Sequence, residues 1–240
     1  MESPREWIEP KKVIEAARLY RHMLDLGFSP HHSILAVESK KQLNSIEKQL
    51  LIRCVDSREE SEKILKKIVS LEEIQGKTLA MDFYNVITTI AEALEGHLVF
   101  RCTDGLVRDI ASALGRSKKS EEIIIEAIEE IKKVIAYAKP SKLYLVMDKQ
   151  ISFSAERIRS AREVLSQAVD TEGILSESAD SELIRLSRME IIASSSDGLI
   201  ARNVSKIFDI PQQVLVRRKI FGKNAIDMNA LLYIEEISHF

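Results

Sequence analysis

The chain is poor in the residue types that mark membrane, secreted and base-stacking proteins. Its two cysteines, Cys54 and Cys102, are far apart and form no C-x-x-C pair. We therefore expect two separate buried thiols in a reducing compartment and a cytoplasmic location. No uninterrupted apolar run approaches the ~18 residues of a transmembrane helix, so no membrane partner is predicted. Aromatic residues make up 5% of the sequence, which disfavours a platform for base stacking.

Several familiar catalytic motifs are also missing. There is no G-x-G-x-x-G sequence, which disfavours a dinucleotide-binding fold. The tripeptide Gly76-Lys77-Thr78 resembles the end of a phosphate-binding loop. That motif requires Gly at position 71, where this chain has Leu, and it follows a strand, whereas this tripeptide precedes one. The five histidines show no ligand spacing beyond one adjacent pair. No Ser-His-Asp or Cys-His arrangement is recognisable, so nucleophilic hydrolysis is disfavoured.

What the chain does contain is a helical segment followed by alternating strands and helices. Apolar residues recur at helical spacing over residues 10–73, and Gly76 ends that pattern. We predict a small all-helical N-terminal domain at 1–75 and an α/β domain at 76–240, with a parallel sheet flanked by helices on both faces. The predicted strands are 77–82, 98–102, 142–147, 172–176, 190–194 and 213–217. The predicted helices are 85–95, 106–114, 120–138, 153–168, 180–189, 198–206 and 224–237.

Four aspartates follow or flank the predicted strands. Asp82, Asp148 and Asp197 each come after an apolar run, and Asp180 opens the helix before the last of these strands. Because the carboxyl ends of parallel strands share one edge, we expect the four side chains to converge there. Carboxylates at such spacing repel each other, and a divalent cation would relieve the repulsion. Each aspartate is also a good helix cap, so capping alone stays an alternative.

Oxygen ligands of this kind suit Mg²⁺ or Mn²⁺. We assign Asp82 and Asp197 to direct metal contact and Asp148 and Asp180 to direct or water-mediated contact. All four are the predicted catalytic residues, since two ions held there would polarise a phosphate and activate water. Amide, hydroxyl and charged residues nearby in sequence are predicted to contact the substrate or its phosphates: Asn85, Asp104, Arg108, Ser194, Ser195, Ser196, Arg217, Arg218 and Lys219.

The same positions carry a family resemblance. The string Met81-Asp82-Phe83-Tyr84-Asn85-Val86, Asp180 at a helix start and Ser196-Asp197-Gly198 resemble the acidic positions of PIN-like and related NYN nuclease domains. The whole chain resembles an uncharacterised, largely archaeal family that joins a helical N-terminal module, of the domain of unknown function 434 type, to a PIN-like domain. This wider resemblance rests on residues 20–30, 43–53, 81–86, 102–109 and 147–152.

The resemblance implies a PIN-like sheet and metal-dependent ribonuclease activity. It also implies an acid in the helix after the first strand, for which Glu92 and Glu95 are the candidates. We therefore expect a nuclease that hydrolyses phosphodiester bonds of nucleic acid, RNA more than DNA. An inactive PIN-like module that binds RNA or protein is one alternative, and a phosphoesterase acting on a nucleotide or other small phosphate ester is another. A homodimer is left open.

Overall fold

The structure is a computed structural model of the chain, and it describes residues 8–110 and 119–234. Within these ranges the helices are α1 (Pro10–Asp25), α2 (Pro30–Lys41), α3 (Ser45–Cys54), α4 (Arg58–Leu65), α5 (Leu71–Ile74), α6 (Phe83–Leu94), α7 (Glu121–Ala138), α8 (Ser154–Leu165), α9 (Ala179–Ser187), α10 (Gly198–Asn203), α11 (Ile210–Arg217) and α12 (Met228–Ile234). The strands are β1 (Thr78–Asp82), β2 (Val99–Arg101), β3 (Val107–Asp109), β4 (Lys142–Asp148), β5 (Thr171–Ser176), β6 (Ile192–Ser194) and β7 (Ala225–Asp227). No helix in these ranges is both long and apolar enough to span a bilayer.

Four strands form a parallel sheet in the order β5-β4-β1-β6. In its register, Met81 of β1 lies between Leu145 of β4 and Ser194 of β6. The chain moves outward from β1 to β4 and β5, then returns to place β6 on the other side of β1. The strand order therefore reverses between β1 and β6, and open α/β sheets bind their ligands at the carboxyl ends of strands beside such a reversal.

Helices cover both faces of this sheet because its side chains alternate between two apolar clusters. Leu79 and Met81 of β1 belong to a cluster formed with α6, α7, α8 and α11. Ala80 belongs to a second cluster, formed with α4, α9 and α10 on the opposite face. The prediction of an α/β protein with a parallel sheet flanked by helices is confirmed.

A second, smaller sheet has the order β3-β2-β7. Strands β2 and β3 are antiparallel across a tight turn, in which Gly105 has φ of +87° and its backbone N–H donates to the carbonyl of Cys102. The helix predicted over 106–114 is therefore wrong for residues 107–109, which form β3, and its residues 111–114 lie outside the described ranges. Strand β7 pairs in parallel with β2, so the helix predicted over 224–237 begins only at Met228.

The strand predicted over 213–217 is also wrong, because this segment is helical. Val214, Leu215 and Val216 form the apolar, partly β-branched run that indicated a strand. The side chain of Asp209 instead accepts a hydrogen bond from the backbone N–H of Gln212 and caps helix α11, which has a proline in its first turn. Capping and packing against α6 and α7 outweigh the strand propensity of two valines.

The first three helices share their core with the small sheet. Buried Val13 and Leu50 pack in one apolar cluster with Phe100 of β2 and Met228 of α12. The predicted boundary between residues 75 and 76 thus marks a change of secondary structure, while this core spans both sides of it. The two-domain division stays a prediction.

The two cysteines lie together in that core. Cys54 ends α3 and Cys102 follows β2, with Cα atoms 4.3 Å apart, and the pair forms a disulfide. The expectation of two separate thiols is wrong, because a sequence separation of 48 residues does not reveal that the ends of α3 and β2 pack together. The cytoplasmic location that rested on it stays a prediction.

Candidate active site

Asp82 occupies the centre of the carboxyl edge of the parallel sheet. It is the last residue of β1, it is buried, and its side chain caps helix α6. Its Oδ2 accepts hydrogen bonds from Nδ2 of Asn85 at 2.6 Å and from the hydroxyl of Ser195 at 2.8 Å. Burial raises the pKa of Asp82 to about 6; the bonds from Asn85 and Ser195 oppose this rise, and the charge of Asp180 adds to it. Asn85 thus lies at the aspartate edge, and its predicted contact with the substrate stays a prediction.

The three serines predicted to line the site are all buried where β6 ends beside β1. Ser195 links the two strands, since it donates to Asp82 and accepts a hydrogen bond at 3.0 Å from the backbone N–H of Asp197. The hydroxyls of Ser194 and Ser196 have no hydrogen-bond partner among the described residues. Because burying an unpaired hydroxyl is costly, these two groups are candidate donors or acceptors for a bound ligand.

The other three predicted acids are grouped around the same edge. Asp148 ends β4, and its Oδ1 accepts a hydrogen bond at 2.7 Å from the backbone N–H of Ala179 at the start of α9. Asp180 follows in the first turn of α9, and Asp197 caps α10. Burial raises the pKa of Asp180, and the charges of Asp197 and Asp148 raise it further. Asp180 is therefore electrostatically coupled to the other three acids.

The four carboxylates do not form a closed set of ligands around one point. No three of them bring carboxylate oxygens within 4.8 Å of one another in the part of the chain that the structure describes. None of them forms an ion pair with a lysine or arginine of the described ranges. A hard divalent ion that keeps several of its waters is compatible with such spacing, because the waters fill the remaining coordination positions.

One compact group of ligand atoms lies elsewhere. Glu92, Glu95 and His97 bring ligand atoms within 4.8 Å of one another and form an acidic and histidine group that could hold a metal ion. The ammonium group of Lys119 already forms ion pairs with Glu92 and, at 2.7 Å, with Glu95. Glu92 lies ten residues along α6 from Asp82, or ~15 Å at the helical rise. These acids of α6 are therefore separate from the aspartate edge.

Asp104 and Arg108 have a different place from the one predicted. Both are buried, and the Arg108 guanidinium forms two hydrogen bonds to the Asp104 carboxylate, at 2.9 and 2.5 Å. Its Nε donates to the backbone carbonyl of Ser196 at 2.9 Å. The pair therefore supports the loop that carries Asp197, and it does not present its charges on the surface for a substrate.

The basic group at the end of α11 is paired with acids of α7. Arg218 forms an ion pair at 2.7 Å with Glu126, and Arg217 lies 3.9 Å from Glu130. Lys219 follows with φ of +53°. No described contact joins these three residues to the aspartates, and their predicted contact with substrate stays a prediction.

Asp209 was not predicted as part of this region. It is buried, and its Oδ2 accepts a hydrogen bond at 2.8 Å from the backbone N–H of Val107 in β3. Burial raises its pKa to about 7, opposed by the hydrogen bonds from Gln212 and Val107 and by the charge of Arg108. The sequence Asp209-Ile210-Pro211 at the start of α11 is the signal that could have identified this cap, because Asp before a first-turn Pro is typical of a helix start.

Fold and site together define an α/β protein whose parallel sheet carries an edge of coupled carboxylates. The chain belongs to the family described as Domain of unknown function (DUF5616), whose model matches residues 71–213. It is similar to the uncharacterized protein MJ0935 of Methanocaldococcus jannaschii, with 22% identity over 200 residues, which is 82% of this chain and 94% of that protein. No solved structure matches the chain. Membership of an uncharacterised family is thus confirmed, while the comparisons identify no module of the 434 type.

Proposed function

We propose that the protein is a PIN-like, Mg²⁺- or Mn²⁺-dependent nuclease that hydrolyses RNA at the edge formed by Asp82, Asp148, Asp180 and Asp197. The single observation that carries the proposal is that one edge of the sheet holds all four aspartates: Asp82 ends β1, Asp148 ends β4, Asp180 lies in the first turn of α9 and Asp197 caps α10. Burial and the charges of Asp197 and Asp148 raise the pKa of Asp180, and a carboxyl whose pKa is raised beside other acids is typical of a functional site. The order β5-β4-β1-β6 with helices on both faces supports a PIN-like assignment.

The donor set fits a hard divalent cation. It consists of four carboxylates, with the two unpartnered hydroxyls of Ser194 and Ser196 nearby. Asp82 and Asp197 would contact the metal directly, and Asp148 and Asp180 directly or through water. When bound, the metal supplies Lewis-acid polarisation of the phosphate and acidifies a coordinated water.

The protein's own residues orient this site. Hydrogen bonds from Asn85 and Ser195 hold the Asp82 carboxylate in one orientation and favour its charged form. A hydrogen bond from the backbone N–H of Ala179 likewise holds the Asp148 carboxylate in place. Since Asp82, Asp148 and Asp197 accept hydrogen bonds from donors near the starts of α6, α9 and α10, their oxygens are positioned before a ligand binds.

A second candidate is a PIN-like module that binds RNA or protein without cleaving it. The observation in its favour is that Asp148 and Asp197 both accept backbone N–H groups at the starts of α9 and α10. Capping alone would account for both residues. This candidate predicts retention of RNA without any stabilisation by metal.

The test is cleavage of labelled single-stranded RNA with Mn²⁺, by the full chain and by Asp82→Asn. The matched control is Asp170→Asn, which makes the same change on a side chain that is 70% exposed and precedes β5 at the opposite edge of the sheet. We expect wild type and the control to cleave, and Asp82→Asn to lose at least ~100-fold in rate. Equal cleavage by wild type and Asp82→Asn would identify a contaminant and overturn the proposal. A parallel panel of nucleotides and phosphate monoesters separates a small-molecule phosphoesterase from a nuclease.

A further inference from the structure

A cavity of about 230 Å³ opens between the starts of α6 and α8. Tyr84 stands two residues after Asp82, and Ile151 donates its backbone N–H to the carbonyl of Asp148. The cavity therefore adjoins the carboxyl ends of the neighbouring strands β1 and β4. Its lining includes Tyr84, Lys119, Ile124, Ile151, Ser152 and Arg157.

The lining has an apolar part and a polar part. Tyr84, Ile124 and Ile151 are partly buried side chains that pack on the large core cluster of the sheet. Ser152 and Arg157 are exposed at the opening. The charge of Lys119 is offset by Glu92 and Glu95, whereas the described ranges contain no acid paired with Arg157. An aromatic and aliphatic floor with one available cation at the rim matches a flat ring attached to an anion.

We propose that this cavity binds one nucleotide of the substrate strand, with its base against Tyr84 and its phosphate at Arg157; this deepens the nuclease proposal and rests on it for the scissile bond. The volume is below the ~300 Å³ of typical drug-sized pockets, so it suits a single base and excludes a stacked base pair. A base enters such a cavity only when it is unpaired and unstacked. The cavity therefore selects a single-stranded RNA substrate. It also holds one base of that strand at a fixed distance from the aspartates.

Binding is measured by fluorescence anisotropy of a short labelled single-stranded RNA, with 5′-AMP and 5′-UMP as competitors. The buffer contains EDTA, so that no hydrolysis occurs and the result does not depend on catalysis. The variants are Arg157→Gln and Tyr84→Leu, since leucine keeps an apolar side chain and removes the aromatic face. The matched control is Arg159→Gln, another exposed arginine of α8 that is not among the lining residues.

We expect Arg157→Gln to weaken binding several-fold and to reduce the slope of log K against log salt by about one. Tyr84→Leu is expected to weaken binding about tenfold through loss of stacking. Arg159→Gln is expected to bind as wild type does. Loss of equal size in Arg157→Gln and Arg159→Gln, or no binding by wild type, would overturn the cavity proposal.

The two proposals fail separately. If Asp82→Asn abolishes cleavage while Arg157→Gln and Tyr84→Leu bind normally, the cavity proposal is wrong and the nuclease stands. If both cavity variants lose binding while wild type cleaves nothing with Mn²⁺, the nucleotide site stands and the catalytic proposal is wrong. Circular dichroism of each variant confirms that the comparison is made between folded proteins.

Discussion

Arg108 donates a hydrogen bond from Nε to the backbone carbonyl of Ser196 over 2.9 Å, although the two residues are 88 positions apart in the chain. The rest of the guanidinium is paired with Asp104. An ion pair of the small sheet therefore fixes the backbone between Ser195, which donates to Asp82, and Asp197, which caps α10. The small sheet thereby supports the aspartate edge of the large one.

Replacement of Arg108 tests this support. In Arg108→Leu the buried Asp104 carboxylate loses its partner, so we expect the free energy of unfolding to fall by about 3–5 kcal/mol. The double variant Arg108→Leu/Asp104→Leu removes both charges and should be clearly more stable than the single variant. Urea unfolding followed by circular dichroism measures both values. If the free energy of unfolding fell by less than about 1 kcal/mol in the single variant, the pair would not be needed for stability.

The raised pKa of Asp82 predicts a pH-dependent stability. Its folded-state pKa of about 6 lies above the ordinary value of 3.8 for an aspartate, so the folded state favours the protonated form. Its stabilising contribution is full below about pH 4 and is lost as the pH rises through 6. In metal-free buffer, we expect the free energy of unfolding of Asp82→Asn to rise relative to that of wild type by up to about 3 kcal/mol between pH 4 and pH 7. Urea unfolding at several pH values measures the difference, and parallel curves for the two proteins would show that the Asp82 pKa is ordinary.

The hydroxyl of Ser195 should lower the pKa of the Asp82 carboxylate. Ser195→Ala removes a donor to Asp82 and raises its pKa. Since Mn²⁺ binds the charged form, the pH midpoint of Mn²⁺-induced thermal stabilisation should rise by about one unit, as expected for a hydrogen bond to a charged group. Ser33→Ala is the matched control, because its buried hydroxyl has no partner among the described residues and lies in α2, away from the aspartate edge. An unchanged midpoint in Ser195→Ala, or an equal change in both variants, would rule out this coupling.

Gly105 joins β2 to β3, and its replacement should be costly for two reasons. Its φ is +87°, which costs a residue with a Cβ about 1–2 kcal/mol. An added Cβ would also lie 2.7 Å from Cδ2 of Leu65, which must move. Gly222 has φ of +82° with no atom within 4 Å of the added Cβ, so Gly222→Ala reports the backbone cost alone. We expect Gly105→Ala to be the more destabilising in thermal unfolding, and equal losses would show that Leu65 adjusts freely.

The large sheet and its acidic edge could be predicted because each signal is local. The run ending in Asp82 is apolar enough to require a buried strand, and the carboxyl ends of parallel strands must share an edge. The spacing of the acids could not be predicted. It depends on how the carboxylates of Asp148 and Asp197 turn to accept hydrogen bonds from the backbone N–H groups at the starts of α9 and α10.

The small sheet and the buried charges escaped prediction for a different reason. The strand predicted over 98–102 contains β2, but three-residue strands such as β3 and β7 carry too little periodicity to identify. Arg108 resembled a surface cation, because no sequence pattern shows that Asp104 and the carbonyl of Ser196 will surround it. Those partners come from packing between segments distant in the chain, and the disulfide of Cys54 and Cys102 was missed for the same reason.

The core shared by the first helices and the small sheet also bears on how the chain folds during synthesis. Val13 of α1 packs in the same cluster as Met228 of α12, and Arg18 donates to the carbonyl of Leu232 at 3.2 Å. Helices α1, α2 and α3 leave the ribosome long before α12 is synthesised, so their apolar surfaces stay exposed until then. The core that they share with the small sheet is therefore complete only after Met228 and Leu232 have been synthesised.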